Sequence, residues 1–147
     1  MPNPNDPELD LVGYLNGKTG AVSAITLATG TNLFSGPERA NKVGVPSNSV
    51  FVRNSGGMPA TPYFANSPQG DDRQSSLQVI VRSNPNDYGG GSIFARDVFA
   101  LIQRAAVSGP SSNYIYCLCR QSDPVYVGQN DQALHQFSIN VLMRWTG

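Results

Sequence analysis

Charged side chains are scarce in this sequence, and this scarcity limits what the protein can bind. They make up 14% of the 147 residues, against about 25% in typical soluble proteins. The 10 lysines and arginines are balanced by 10 aspartates and glutamates, so the formal net charge is zero. Because no positive field extends over the surface, direct binding of nucleic acid is not expected.

Cysteine and histidine, which carry much of enzyme and metal chemistry, are also rare. Cys117 and Cys119 are too few and too close together for a disulfide framework, and they lack a zinc site's spacing and second ligand pair. We interpret them as packed thiols. A nucleophile-base pair of one thiol with His135 stays open, but this residue is interpreted as an ordinary sheet-end histidine. We predict no cofactor, no metal site and no enzyme.

Long apolar runs are absent too. No run of about 18 apolar residues could cross a bilayer, and the opening MPNPNDPELD has neither the basic start nor the apolar stretch of a secretory signal. We therefore expect a soluble, cytoplasmic chain with no membrane partner. The 15 glycines and 11 prolines add a neutral, turn-rich surface, which tends toward self-association. This composition favours a protein that works inside an assembly.

The segment NPNDYGGGSIFARDVFALIQRA, residues 84–105, places three consecutive glycines before an amphipathic pattern. A P-loop would require a lysine and then a serine or threonine directly after its last glycine, and neither stands at its required position here. The dinucleotide-binding fingerprint fails because Phe94 occupies its third glycine position. We predict a flexible strand-to-helix hinge, with Ser92 as the N-cap of a helix over 92–107. Weak anion binding at that helix start is the alternative.

Hydrophobic periodicity predicts a single α+β domain over residues 1–147. A short N-terminal helix is predicted between Asp6 as a possible N-cap and Gly17 as a possible stop. Strands are predicted at 24–29 or 31–34, and in SNSVFVRNSGG, SLQVIVRSN, NYIYCLCRQ, DPVYVG and ALHQFSINVLMRWTG. Alternating apolar residues predict one buried face for the strand SLQVIVRSN and one for the strand ALHQFSINVLMRWTG. The order predicts a mixed, mostly antiparallel β-sheet packed by one main helix plus the short N-terminal helix.

The segment 54–75, NSGGMPATPYFANSPQGDDRQS, is rich in glycine, proline, asparagine and serine. We interpret it as a long loop, and loops of this length are usually functional or disordered. Tyr63 and Phe64 favour docking onto another surface, because a solvated linker gains nothing from large apolar side chains. Alternatively, both rings fold back over the domain's own core. Asp71 and Asp72 are interpreted as a solvated turn rather than an acid-base pair.

Several segments together resemble a known family. The strand LQVIVRS, the helix SIFARDVFALIQRA, the turn DPVYVGQND and the closing strand HQFSINVLMRW lie within residues 50–147. Together they resemble the tail terminator and minor capsid proteins of tailed bacteriophages. The most specific part is the P-x-x-x-G-x-x-D turn of Pro124, Gly128 and Asp131. The family pattern supplies no catalytic residues.

The resemblance implies a structural virion protein that is assembled in the host cytoplasm. Its copies would close into a ring, commonly a hexamer, on the last ring of the tail tube. There the ring ends tube polymerisation, so its partners are the tail tube protein and the head-tail connector or neck protein. A ring needs an interface in which one patch meets a different patch on the next copy. Exposed strand edges could extend a sheet between such copies.

Five residues are candidates for contacts between copies or with the tail tube. Tyr63 and Phe64 are possible anchors on the predicted loop, since buried aromatics often dominate interface energy, and Arg73 lies near them in sequence. Arg96 and Gln103 lie on the polar side of the main helix, free to face a neighbouring subunit. A second interpretation, a small-ligand or carbohydrate-binding module, would use loop aromatics such as Tyr63 as its platform.

Overall fold

A computed structural model describes residues 5–37, 46–62, 70–110 and 113–146. Within these ranges two helices pack on one face of a six-stranded sheet, which confirms the predicted α+β class. None of the described helices is long and apolar enough to cross a membrane. The elements in chain order are α1 (Pro7–Leu15), β1 (Leu33–Ser35), β2 (Ser49–Pro62), β3 (Asp71–Ser83), α2 (Tyr88–Ile102), β4 (Tyr116–Cys119), β5 (Val125–Gln129) and β6 (His135–Thr146).

Strand β6 organises the sheet because it has partners along both of its edges. On one edge it pairs antiparallel with β3 over almost its whole length. On the other edge its first half pairs with β5 and its second half with β4, both antiparallel. Beyond β3 lies β2, also antiparallel, and β1 adds to β2 in parallel. The sheet is therefore mixed and mostly antiparallel, as predicted.

The core lies between this sheet and the two helices. Strand β3 buries Leu77, Val79 and Val81 against the helices, which confirms the alternation predicted for SLQVIVRSN. Helix α2 contributes Phe94 and Val98 from its predicted apolar stripe. Full burial of each such side chain stabilises the fold by about 1.5–3 kcal/mol. The alternate buried residues of β6 are His135, Phe137, Ile139, Val141, Met143 and Trp145.

The short N-terminal helix is confirmed together with its start and stop signals. Asp6 is the N-cap, and its carboxylate accepts a backbone N–H of the first turn at 3.3 Å. The helix ends at Leu15, and Gly17 follows with a φ of +84°, a conformation that favours glycine. Glu8 fastens the helix to the sheet, because its carboxylate accepts the N–H of Asn54 at 2.8 Å.

The main helix begins earlier than predicted, and the three glycines belong to it. It starts at Tyr88 rather than Ser92, so the glycines form its first turn and not a hinge. Asp87 is the N-cap, and its carboxylate accepts the N–H of Gly90 at 2.9 Å. Aspartate caps a helix as well as serine does, and none of the three glycines has a positive φ. The predicted span of 92–107 was therefore wrong at its start.

The same helix also ends earlier than predicted, at Ile102 instead of near 107. Arg104 has a φ of +61°, a left-handed conformation that cannot continue the helix. Its backbone N–H is donated to the carbonyl of Cys117 on β4 at 2.9 Å. A bond to the sheet thus replaces a further helical turn, which local sequence could not indicate.

The prediction of a long loop at 54–75 was wrong, because most of this segment lies in the antiparallel strands β2 and β3. Strands β2 and β3 remain paired through this region, and residues 72–76 of β3 also pair with β6. Pairing on both sides of β3 outweighs the turn-forming composition. The pairing of β2 with β3 shifts register on either side of Gly56 and Gly57. These two glycines have φ values of +94° and +109°.

We call residues 54–62 of β2 the arm. Every side chain from 54 to 60 is exposed, and the arm carries no charged residue. Tyr63 and Phe64, the aromatic pair predicted to anchor this segment, lie outside the described residues.

The described part of the chain between α1 and β2 contains one short strand. Of the two predicted positions, the structure has β1 at Leu33–Ser35, which overlaps the prediction at 31–34, and the alternative at 24–29 forms no strand. The turns before β1 are held by helix α2, because the Asp97 carboxylate accepts the N–H of Ser23 at 2.7 Å and of Val22 at 3.2 Å.

Candidate functional site

The two thiols are part of the core and lie far from the only histidine. Cys117 is fully buried, and burial raises its pKa to about 12 and that of Cys119 to about 11. Cys119 pairs with Val141, whereas His135 lies at the start of β6. The separation along β6 is roughly 20 Å, because a strand rises about 3.3 Å per residue. The thiols are therefore protonated packing residues, and a pairing of either with His135 is excluded.

His135 is held by two hydrogen bonds within an aromatic cluster. Its Nε2 lies 2.9 Å from the Pro85 carbonyl, and its Nδ1 lies 2.9 Å from the Tyr126 hydroxyl. A carbonyl only accepts, so Nε2 donates, and in the neutral ring Nδ1 accepts from the tyrosine. The Tyr88 ring lies 5.0 Å from that of Tyr126 and 5.7 Å from that of Phe137. The cluster fastens the first turn of α2 to β5 and β6.

Strand β5 presents an exposed apolar surface. Val125, Tyr126 and Val127 are 53%, 41% and 58% exposed, although they follow one another directly. We call these three residues the β5 surface. Tyr88 on α2, which packs against Tyr126, is 50% exposed. Consecutive strand residues point to opposite faces, so β5 has exposed side chains on both faces of the sheet. Among the described strands it pairs with β6 alone.

Arg96 lies beside the β5 surface and is ion-paired. Its Nε and one terminal nitrogen each lie 3.3 Å from a carboxylate oxygen of Asp123, and the two side chains are 63% and 55% exposed. Such an exposed pair contributes about 0–1 kcal/mol, but it defines one wall of a cleft between α2 and β5. The cleft is lined by Tyr88, Ser92, Arg96, Asp123, Pro124, Tyr126 and Phe137.

Gln103 lies at the C-terminal end of α2 and has a structural role there. It is the C-cap residue of this helix, and its side-chain carbonyl accepts the N–H of Cys119 at 2.8 Å. It thereby fastens the helix to β4, a role that the sequence did not indicate. Arg96 lies near the middle of α2 beside β5, whereas Gln103 caps the end of the helix beside β4, so the structure does not bring these two candidates together.

Arg73 lies at the far end of the sheet, where β3 meets the end of β6. It is ion-paired with Asp71 at 3.3 Å, and its guanidinium lies 5.2 Å from the centre of the Trp145 ring. Next to it, Arg144 donates two hydrogen bonds to the Asp72 carboxylate, at 2.9 and 2.8 Å. These bonds hold the pKa of Asp72 below its usual value.

The interpretation of Asp71 and Asp72 as a solvated turn was therefore wrong, because both lie on a paired strand. The pair of Asp72 with Arg144 forms only after β3 and β6 have paired, whereas Arg73 is two residues from Asp71 on the same strand. The carbohydrate-binding interpretation relied on Tyr63, which lies outside the described residues. Within the described residues no group of three or more metal-ligating side chains comes together.

Comparisons with known proteins identify a shared fold. No protein-family model and no curated protein sequence matches the chain. Among solved structures, it is similar to a chain described as belonging to the "virion of native gene transfer agent (GTA) particle". The TM-score is 0.63 at 12% sequence identity, and the alignment covers 95% of this chain and 94% of the other. At so low an identity the match establishes the fold, which extends over nearly the whole of both chains.

Proposed function

We propose that this protein is a structural subunit of a virion. The observation that carries the proposal is the fold that it shares, from end to end, with a chain of the gene transfer agent virion. The sequence resemblance to tail proteins of tailed bacteriophages points to the same class through different features. The exposed, uncharged β5 surface and arm suit a chain that is covered by neighbours in an assembly.

Within that class we propose the role of a tail terminator. Copies would close into a hexameric ring on the tail tube, end its polymerisation and join it to the head-tail connector or neck protein. The chain offers two different surfaces, the β5 surface and the arm, on opposite sides of the sheet, as a head-to-tail ring requires. Arg73 on β3 and Arg96 on α2 are both partly exposed and are proposed contacts of such a ring. Tyr63, Phe64 and Gln103 remain predicted contacts.

Light scattering and electron microscopy of the purified protein test the role. The mass should be about six times the 15.7 kDa of one chain, either for the protein alone or after it is mixed with the tail tube protein of the same particle. Tubes assembled in its presence should be shorter than tubes assembled without it. A protein that stays monomeric in both conditions and leaves tube length unchanged is not a terminator.

A further inference from the structure

The sheet ends in two open edges on opposite sides. Strand β5 pairs with β6 along one edge, and within the described residues its other edge has no backbone partner. On the far side, β1 covers β2 only at residues 50–52. Past Asn54, whose N–H is bound by Glu8, the outer edge of the arm also has no backbone partner in the described part of the chain.

The edge of β5 lacks most of the features that protect strand edges from pairing. Natural proteins shield such edges with charges, prolines, bulges or a covering helix. Strand β5, VYVGQ, has neither charge nor proline, and a register shift before Gly128 is its one irregularity. The neighbouring β4 is different, because the end of α2 covers it through the bonds of Arg104 and Gln103. On this side of the sheet the open edge is thus confined to β5.

We infer that β5 accepts the arm of a second copy of this chain as an added strand. The inference rests on the proposed ring and specifies its contact. Successive neighbours from β2 through β3 and β6 to β5 are antiparallel, so β5 and β2 run in opposite directions. Copies in the same orientation therefore bring the arm antiparallel to β5, which is the more stable pairing. Because the two edges differ, the contact is head to tail.

The side chains of the two edges are compatible. The arm is uncharged, and its Met58 is 68% exposed. The cleft beside β5 has Tyr88 and Tyr126 among its walls, and a thioether makes favourable contacts with aromatic rings. Pairing would cover Val127 and Met58 together, two of the most exposed apolar side chains among the described residues.

The pairing also determines how the strands lie in the ring. Strand β5 lies beside the start of β6, whereas the arm is level with its end, through Met58↔Gln74 and Gln74↔Arg144. Neighbouring copies are therefore shifted along the strands by roughly 20–25 Å. A ring with no rise along its axis accommodates that shift only if the strands are inclined to the axis.

A charge on the β5 edge tests the contact. Val127→Lys should weaken ring assembly about tenfold or more, because a lysine on an edge opposes strand pairing, while leaving the thermal unfolding of the subunit unchanged. Val22→Lys is the matched control, since Val22 is 73% exposed and lies on the turns held by Asp97. This control should assemble like the wild type.

Cross-linking identifies the two strands. A variant carrying both Val127→Cys and Met58→Cys, treated with a short bis-maleimide, should give a ladder of covalent oligomers up to ring size. The native thiols should stay silent, because burial raises the pKa of Cys117 to about 12 and that of Cys119 to about 11. Each single variant should give no ladder.

The outcomes separate this contact from the ring itself. Covalent dimers from Val127→Cys alone would mean that β5 pairs with β5, which overturns the inference. A ring that forms equally well with Val127→Lys, with no ladder from the double variant, overturns the strand addition and leaves the terminator role standing. A chain that is monomeric in every condition overturns both.

Discussion

Alanine at Gly91 tests how closely helix α2 approaches strand β3. A Cβ at this position would lie 2.1 Å from the Oγ of Ser83, 2.6 Å from its Cβ and 3.1 Å from the ring of Phe137. The Ser83 hydroxyl has no hydrogen-bond partner among the described residues, so Oγ could turn away without breaking a bond. The Ser83 Cβ cannot turn away, because it is fixed to the backbone. Ordinary carbon contacts are about 3.5–4 Å, so the helix start must retreat by about 1 Å.

The expected loss of stability follows from that displacement. Overpacking of a well-packed core costs about 1–3 kcal/mol, and the better helix propensity of alanine offsets at most about 1 kcal/mol of it. Gly91→Ala should therefore lower the free energy of unfolding by about 1–2 kcal/mol. Gly89→Ala is the matched control in the same turn, because no atom lies within 4 Å of its added Cβ. It should stabilise by about 0.5–1 kcal/mol.

Urea unfolding followed by circular dichroism measures both changes. The two alanine variants should differ by roughly 1.5–3 kcal/mol, which urea unfolding can resolve. In a Ser83→Gly background the obstructing Cβ is gone, so the Gly91→Ala penalty should shrink toward zero. Equal stability of Gly89→Ala and Gly91→Ala would refute the close approach and restore the interpretation of the glycines as a pliable hinge.

Two further predictions concern carboxylates. Asp97→Ala should destabilise by about 1–3 kcal/mol, because the part-buried N–H groups of Val22 and Ser23 lose their charged acceptor. Thermal unfolding checks this, and an unchanged melting temperature would contradict it. The lowered pKa of Asp72 means that its pairing with Arg144 stabilises the fold fully above about pH 5 and progressively less as pH falls through and below 3.9. The stability difference between wild type and Arg144→Gln should accordingly narrow at acid pH, and a difference independent of pH from 7 to 2.5 would refute the linkage.

Sequence patterns predicted the elements whose local and tertiary preferences agree. The alternation in β3 and β6 gave the correct buried faces, because one apolar core covers every second residue of both strands. The capping signals at Asp6 and Gly17 predicted the N-terminal helix correctly, because these local preferences agree with the burial of the helix's apolar residues in the core. The glycines before Ser92 misled, because helix propensity is a weak preference and the Asp87 cap together with packing against Ser83 outweighs it.

The candidate surfaces were harder to predict because they depend on distant partners. Arg96 is ion-paired with Asp123, which lies between β4 and β5 in the chain. The side chain of Gln103 is hydrogen-bonded to the backbone N–H of Cys119. Neither contact follows from local spacing. The arm was mispredicted for the same reason. Its glycines and prolines favour a loop, and its strand conformation depends on pairing with β3, which is in turn paired with β6. An apolar run such as Val125–Val127 looks the same in a sequence whether the finished sheet covers it or leaves it open.

The residues that suggested a protein class and the residues that suggest a contact turn out to be the same part of the molecule. Pro124 precedes β5, Gly128 has a φ of +125° at the register shift within it, and Asp131 lies in the turn that follows. The motif thus begins, bends and ends β5, one of the two strands whose edges the described chain leaves open. The sequence resemblance and the exposed edge are independent observations, and both direct attention to β5 as the place where an assembly would form.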